Sequence, residues 1–255
     1  DHTKILGGTV EEIARSKCGI IKGGNAVAAL DIPESAMEVI PERCAQTGAR
    51  LITPDRSELE ILEKPGLRGS RFRYRGQEYR LNLGGAYQVT NALTAIEALT
   101  CAGVTPAHIA MGIERARIPA RMELLPGDIL LDGGHNPQAA RAVRSALEDS
   151  GYERRTAFIG MMNTKDHRAF LQEILPCFDR VYFCDGFSEG EVPAEELRRI
   201  SGLDGAEIFH SPREALKFAR RDHEGGLMYF GGSFYFAAAV RELSLIHISE
   251  PTRLR

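Results

Sequence analysis

From Ile118-Pro119-Ala120 onward the chain alternates short apolar runs with amphipathic stretches, and few architectures accept that pattern. The runs predict strands at Ile129–Leu131, Arg155–Ile159, Arg180–Cys184, Glu207–Phe209 and Leu227–Phe230. Each is followed by a predicted helix, at Pro137–Leu147, Lys165–Leu175, Ala194–Ile200, Pro212–Arg220 and Phe234–Glu242. Strands joined through helices run parallel, and strands apolar on both faces are covered on both faces. The expectation is an α/β domain over 118–242.

Residues 1–117 are less regular. A helix is predicted over Thr9–Ile21, with Thr9 as cap and Glu11 and Glu12 at its positive end. A second covers Pro33–Gln46 and stops at Gly48. Short strands fall at Ala26–Leu30, Leu51–Thr53 and Glu58–Leu62. A hairpin of Arg71–Tyr74 and Glu78–Leu83 turns at Gly76, and helices follow at Ala86–Cys101 and Pro106–Ala116. These are too few strands to close an α/β layer, so this half is expected to expose apolar surface.

Composition removes several classes of function. Hydrophobic residues make up 43% and charged residues 26%, and a net charge of −3 provides no basic face for nucleic acid. No apolar run approaches the ~20 residues that span a bilayer. The five cysteines form no C-x-x-C pair, which argues for reduced thiols in a cytoplasmic protein and against structural zinc. The start at Asp1 has neither an initiator Met nor a leader. The stretch Leu243–Arg253 reads as a non-native tail, so 243–255, including His247 and Arg253–Arg255, receives no functional weight.

Two local patterns point to ligands. In Asp128–Pro137 an apolar strand ends at Asp132, turns through Gly133 and Gly134, and restarts as a helix with Asn136 as cap and Pro137 in the first turn. Asp132 and His135 then sit at a strand's carboxyl end beside a helix N-terminus, a position that favours anions. A plain strand–helix turn explains the spacing equally well. Tyr229–Tyr235 repeats the design, with Ser233 as cap. Lys17, His2, Gln88 and Asn91 read as ordinary polar positions when taken alone. No G-x-x-x-x-G-K-[ST] phosphate loop occurs in the sequence.

Seven segments, in order, resemble one family. D-H-T-K-I-L-G at the start is similar to its D-H-T-x-x-L-G, and I-A-R-S-K-C-G-I-I-K (Ile13–Lys22) to its I-A-x-E-K-A-G-I-x-K. Y-Q-V-T-N-A resembles H-Q-x-x-N-A, and I-P-A-R-M-E resembles W-P-G-R-L-E. L-L-D-G-G-H-N-P, I-G-M-M-N-T-K-D and G-G-S-F-Y-F resemble D-G-A-H-N-P, G-x-x-x-D-K-D and G-S-L-Y-L. The family is folylpolyglutamate synthase/dihydrofolate synthase, within the Mur ligase superfamily, and the resemblance covers residues 1 to about 242.

The resemblance implies part of a P-loop ATPase-type central domain (1–117) followed by a Rossmann-like parallel-sheet domain (118–242). It implies an ATP-dependent ligase that adds L-glutamate to a folate or makes dihydrofolate from dihydropteroate, acting as a monomer with ATP and Mg²⁺. His2 matches a magnesium ligand. Lys17 matches a lysine that carries a carbamate, which would turn a cationic amine into an oxygen ligand for a hard cation. Asn91 matches the adenine-recognising residue, Arg121 a phosphate-reaching arginine, and Asp132 a nucleotide-contacting aspartate. His135 and Ser233 match positions facing the interdomain cleft. Departures are Ser16 for Glu, Cys18 for Ala, Tyr87 for His, Ala120 for Gly and Gly134 for Ala. The family's phosphate loop would lie upstream of Asp1, so the chain alone is expected to be inactive. Two alternatives stay open: a Mur-type cell-wall peptide ligase and a non-catalytic nucleotide-binding module. The Ile13–Lys22 segment differs from the Y-x-x-A-K-x-x-L-F of cell-wall ligases.

Overall fold

The computed structural model describes residues 8–148, 150–222 and 225–248. They group into two compact units that divide between Ala116 and Arg117, with 65–69 and 83–85 clustering with the second.

In the first unit, α1 (Val10–Cys18) starts at a reciprocal cap. Thr9 Oγ1 accepts from the Glu12 N–H at 3.1 Å, and Glu12 Oε2 accepts from the Thr9 N–H at 3.3 Å. α2 (Glu34–Thr47) ends where Gly48 turns left-handed at φ 67°. The two helices pack through Ala14, Cys18, Ala36 and Val39. β1 (Asn25–Val27) and β2 (Arg50–Ile52) pair in parallel. β3 (Leu59–Gly66), β4 (Gly69–Tyr74) and β5 (Gln77–Leu81) form a separate sheet. The β4–β5 turn uses positive φ at both Arg75 and Gly76, as a two-residue hairpin with right-handed strand twist requires. Two helices complete the unit, α3 (Tyr87–Cys101) and α4 (Pro106–Arg115). Buried Glu97 of α3 accepts from Tyr74 Oη at 2.5 Å and pairs with Arg75 at 3.0 Å. Apolar side chains are also left in the open: Ile20 is 86% exposed and Val10 48%.

The second unit is the α/β layer. Its strands are β6 (Glu123–Leu125), β7 (Ile129–Asp132), β8 (Arg155–Ile159), β9 (Arg180–Cys184), β10 (Ile208–Phe209) and β11 (Leu227–Gly231), in the order β10-β9-β8-β11-β7-β6. β7 to β11 run parallel, as their helical connections demand. β6 is an addition to the expected sheet. It pairs antiparallel with β7 at the edge, because Pro126 and Gly127 turn the chain with no helix between.

Side chains alternate across the sheet. Ile129, Leu131, Phe158, Tyr182, Met228 and Phe230 share one core with residues of α8 (Pro212–Arg221) and α9 (Phe234–Ile248). Phe158 stacks on Phe230 at 4.6 Å and on Tyr182 at 5.0 Å, tying three adjacent strands together. The remaining helices, α5 (Pro137–Glu148), α6 (His167–Ile174) and α7 (Ala194–Ser201), pack on one another in sequence. Every residue of β7 and β11 is buried. α9 continues past the expected Glu242, with Leu243 packed against the core and Ser244 1% exposed.

No helix among the described residues is long and apolar enough to cross a membrane.

Candidate functional site

β7 and β11 are neighbours, with Asp132 opposite Gly231, so both strand–turn–helix corners open at the same carboxyl edge of the sheet. Asn136 caps α5 by accepting from the Ala139 N–H at 2.8 Å. Ser233 caps α9 by accepting from the Tyr235 N–H at 3.2 Å. Two helix N-termini thus stand side by side, each favouring negative charge.

Asp132 is 3% exposed and turned inward. Its Oδ2 accepts from the Met122 N–H at 3.0 Å and its Oδ1 from the Gly134 N–H at 2.8 Å. Burial pushes its carboxyl above the ordinary aspartate value, opposed by those two amides and by nearby Arg121 and His135. Burial wins because desolvating a carboxylate is expensive. Within this unit Asp132 fastens two loops together.

Arg121 belongs to one of those loops. Its guanidinium carbon lies 4.4 Å from the centroid of the Phe234 ring, a cation–π contact. The ring fits because residue 133 is glycine: a Cβ there would come within 2.1 Å of Phe234 Cδ1. His135 meets the edge of the same ring at 6.2 Å.

His135 Nδ1 lies 3.1 Å from the Gly133 carbonyl. A carbonyl can only accept, so Nδ1 carries the proton and Nε2 of the neutral ring is the acceptor nitrogen. Burial holds this imidazole below the usual histidine value, helped by Lys165 and Arg121. His210, an exposed residue, is raised by its hydrogen bond to Asp185. A proton NMR titration is expected to place the two midpoints on opposite sides of ~6.5. The signs for stability are also opposite. The His135 contribution is present above the unfolded value and lost as pH falls through its lowered pKa. The His210 contribution is present below the unfolded value and lost as pH rises through its raised one. Coinciding midpoints would contradict this assignment.

Arg121, Asp132, His135 and Ser233 are therefore all in the second unit, at one sheet edge. Lys17 and Asn91 are in the first. Lys17 is exposed near the end of α1 and lines an open groove of 610 Å³ walled by residues such as Val10, Ile13 and Ile21. Asn91 is exposed on α3 and donates to Oε1 of buried Gln88 at 3.0 Å. His2 lies outside the described residues.

Magnesium does not fit the described residues as they stand. No three His, Cys, Asp or Glu side chains among them converge to hold a metal, and an uncarbamylated Lys17 would repel a cation. A nucleotide phosphate fits the second unit better, since Arg121 and two capped helix N-termini supply cationic and N–H donors.

Sequence reasoning did not single out Glu123, Phe234, Lys165 or Arg241. The first three stood inside quoted motifs, which was the available signal. Arg241 carried none.

Comparison with known proteins finds relatives in sequence and in fold. The profile of the Mur ligase, glutamate ligase domain matches residues 120–234. Folylpolyglutamate synthase of Lacticaseibacillus casei is 30% identical over 96% of the chain, and the chain spans 60% of its length. Human mitochondrial folylpolyglutamate synthase is 29% identical over 74% of the chain, which spans 37% of that protein. Escherichia coli FolC, solved in complex with DHPP and ADP, superposes with a TM-score of 0.80 at 26% identity, covering 98% of this chain and 60% of that one. Mycobacterium tuberculosis folylpolyglutamate synthase, complexed with ADP and AMPPCP, shares the fold with a TM-score of 0.79 at 22% identity, covering 91% and 59%. In its seven ordered motifs and in this α/β layer the chain is similar to folylpolyglutamate and dihydrofolate synthases, and residues 120–234 match the glutamate ligase domain of Mur ligases.

Proposed function

We propose that this chain contributes to an ATP-dependent ligase that joins L-glutamate to a folate carboxylate, making folylpolyglutamate, dihydrofolate or both. The observation that carries the reading is the sheet edge where Arg121, His135 and the N-termini of α5 and α9 present donors to an anion. In the proposed reaction a substrate carboxylate oxygen attacks the γ-phosphorus and ADP leaves. The glutamate amine then attacks the acyl carbon of the resulting acyl phosphate, loses a proton, and phosphate departs.

Little covalent chemistry falls to the protein; positioning and charge neutralisation dominate. Arg121 would meet phosphate charge. His135, neutral at pH 7 with Nε2 as acceptor, is suited to receive a hydrogen bond from the incoming amine. Ser233 and Asn136 keep the two helix ends ordered. Asp132 would serve the nucleotide chiefly by fixing its neighbours, beyond any direct contact. Asn91 is assigned to adenine, and His2 with a carbamylated Lys17 to magnesium, on the family motif alone. The reading includes a monomeric, cytoplasmic protein with no nucleic-acid or membrane partner, in keeping with its mixed charge and free thiols.

ADP titrated into the labelled chain is expected to shift the amide signals of Arg121, Gly134, His135 and Ser233. Unmoved signals at saturating ADP would sink the reading. No G-x-x-x-x-G-K-[ST] loop occurs in the 255 residues, so ATP-dependent entry of labelled glutamate into a folate is not expected from this chain alone.

A further inference from the structure

Arg121 sits in a stretch of backbone that the chain has no local reason to adopt. The residues on either side of it, Ala120 and Met122, both have positive φ, at 54° and 46°. Neither is glycine. Each such residue costs on the order of 1 kcal/mol or more and persists only where its surroundings dictate it.

The surroundings here are specific. Glu123 Oε2 accepts from the Ala120 N–H at 2.9 Å. The Ala120 carbonyl accepts from the Gly133 N–H at 2.7 Å, and Asp132 takes the Met122 N–H. Glu123 is itself held from outside the loop, since Arg241 Nε of α9 donates to both its carboxylate oxygens at 2.9 Å. The contact is charge-assisted, one N–H shared between two carboxylate oxygens, and it ties Glu123 to α9. Ala120 and Met122 are 3% and 2% exposed, so their side chains anchor the loop from within. The guanidinium then rests on the Phe234 ring.

We infer that Glu123, gripped by Arg241, is a positioning residue that presets the direction of Arg121. A loop pinned at both flanking amides, at the cost of two left-handed residues, makes sense where the direction of the side chain between them matters. Arg241 has no polar contact with Arg121 and acts only through Glu123. The functional consequence rests on reading Arg121 as the phosphate-facing arginine; the mechanical part does not.

The test is side-chain NMR on the full chain, with the Arg121 Nε–Hε signal identified by its loss in Arg121→Ala. That signal is expected to be rigid on the nanosecond scale in the parent chain and mobile in Glu123→Ala and in Arg241→Ala. Arg241 is partly exposed, so its variant carries the test should Glu123→Ala fail to fold. An ADP titration adds a readout that a merely structural role would not produce. Glu123→Ala is expected to weaken ADP binding about tenfold, the equivalent of one charge-assisted hydrogen bond. In the Arg121→Ala background it is expected to add nothing. Equal rigidity of Arg121 in both variants, or equal weakening with and without Arg121, overturns the inference. If Arg121→Ala itself leaves ADP binding unchanged, the phosphate reading fails, while the mobility result still decides whether Glu123 fixes Arg121.

Discussion

Asp132→Ala is expected to lower the unfolding free energy by about 4 kcal/mol, read as a shift of the urea midpoint followed by circular dichroism. The change strands two buried donors, the N–H groups of Met122 and Gly134, which now give their hydrogens to its two oxygens. Each unsatisfied buried donor costs roughly 1–3 kcal/mol. The pocket is too closed for water to take over easily, since Asp132 is only 3% exposed. Asp132→Asn is expected to fall between the two, because an amide keeps one acceptor oxygen but turns an N–H₂ towards the other backbone N–H. A loss under 1 kcal/mol for Asp132→Ala would mean that the loops hold their shape without the carboxylate, and its role as their fastener would be wrong. The same variant should loosen Arg121, whose neighbour Met122 is one of the two partners.

The parallel strands of the second unit were legible because strands covered on both faces are apolar along most of their length. Arg155–Ile159 and Arg180–Cys184 came out with the observed limits. β6 was missed because three residues ending at a Pro-Gly turn have neither the length nor the alternation to signal a strand. The corner after β7 was legible from D-G-G-H-N-P, since its cap, turn and first-turn proline are all local. Which way Asp132 points was not. A carboxylate at a strand end reads as a ligand contact until the partners of both oxygens are known. Arg121 was singled out through the family motif, but what holds it in place was not legible. Glu123 and Arg241 are 118 residues apart, and no short-range pattern couples them. Ala120 and Met122 give no hint of a left-handed backbone, because tertiary contacts impose it against their own preference.

Gly133→Ala is expected to destabilise the fold by about 2–3 kcal/mol, with the loss carried by Phe234. The added Cβ would lie 2.1 to 2.4 Å from three atoms of that ring, far inside contact distance. Overpacking in a closed site costs roughly 1–3 kcal/mol when neighbours must shift. Here the neighbour is a ring wedged between Gly133, the Arg121 guanidinium and the edge of His135, so it cannot yield without releasing both. If the clash with the ring is the cause, shrinking the ring should undo most of it. In a Phe234→Leu background, Gly133→Ala is expected to cost less than half of what it costs alone, measured as a double-mutant cycle by urea unfolding. Leucine leaves room for the methyl while still filling the corner, and it is the residue the family motif carries there. Additive losses in the cycle would move the origin of the damage from the ring to the backbone of the β7–α5 turn. Arg121 would then owe its place to the pinned loop alone, with no share from the aromatic face beneath it.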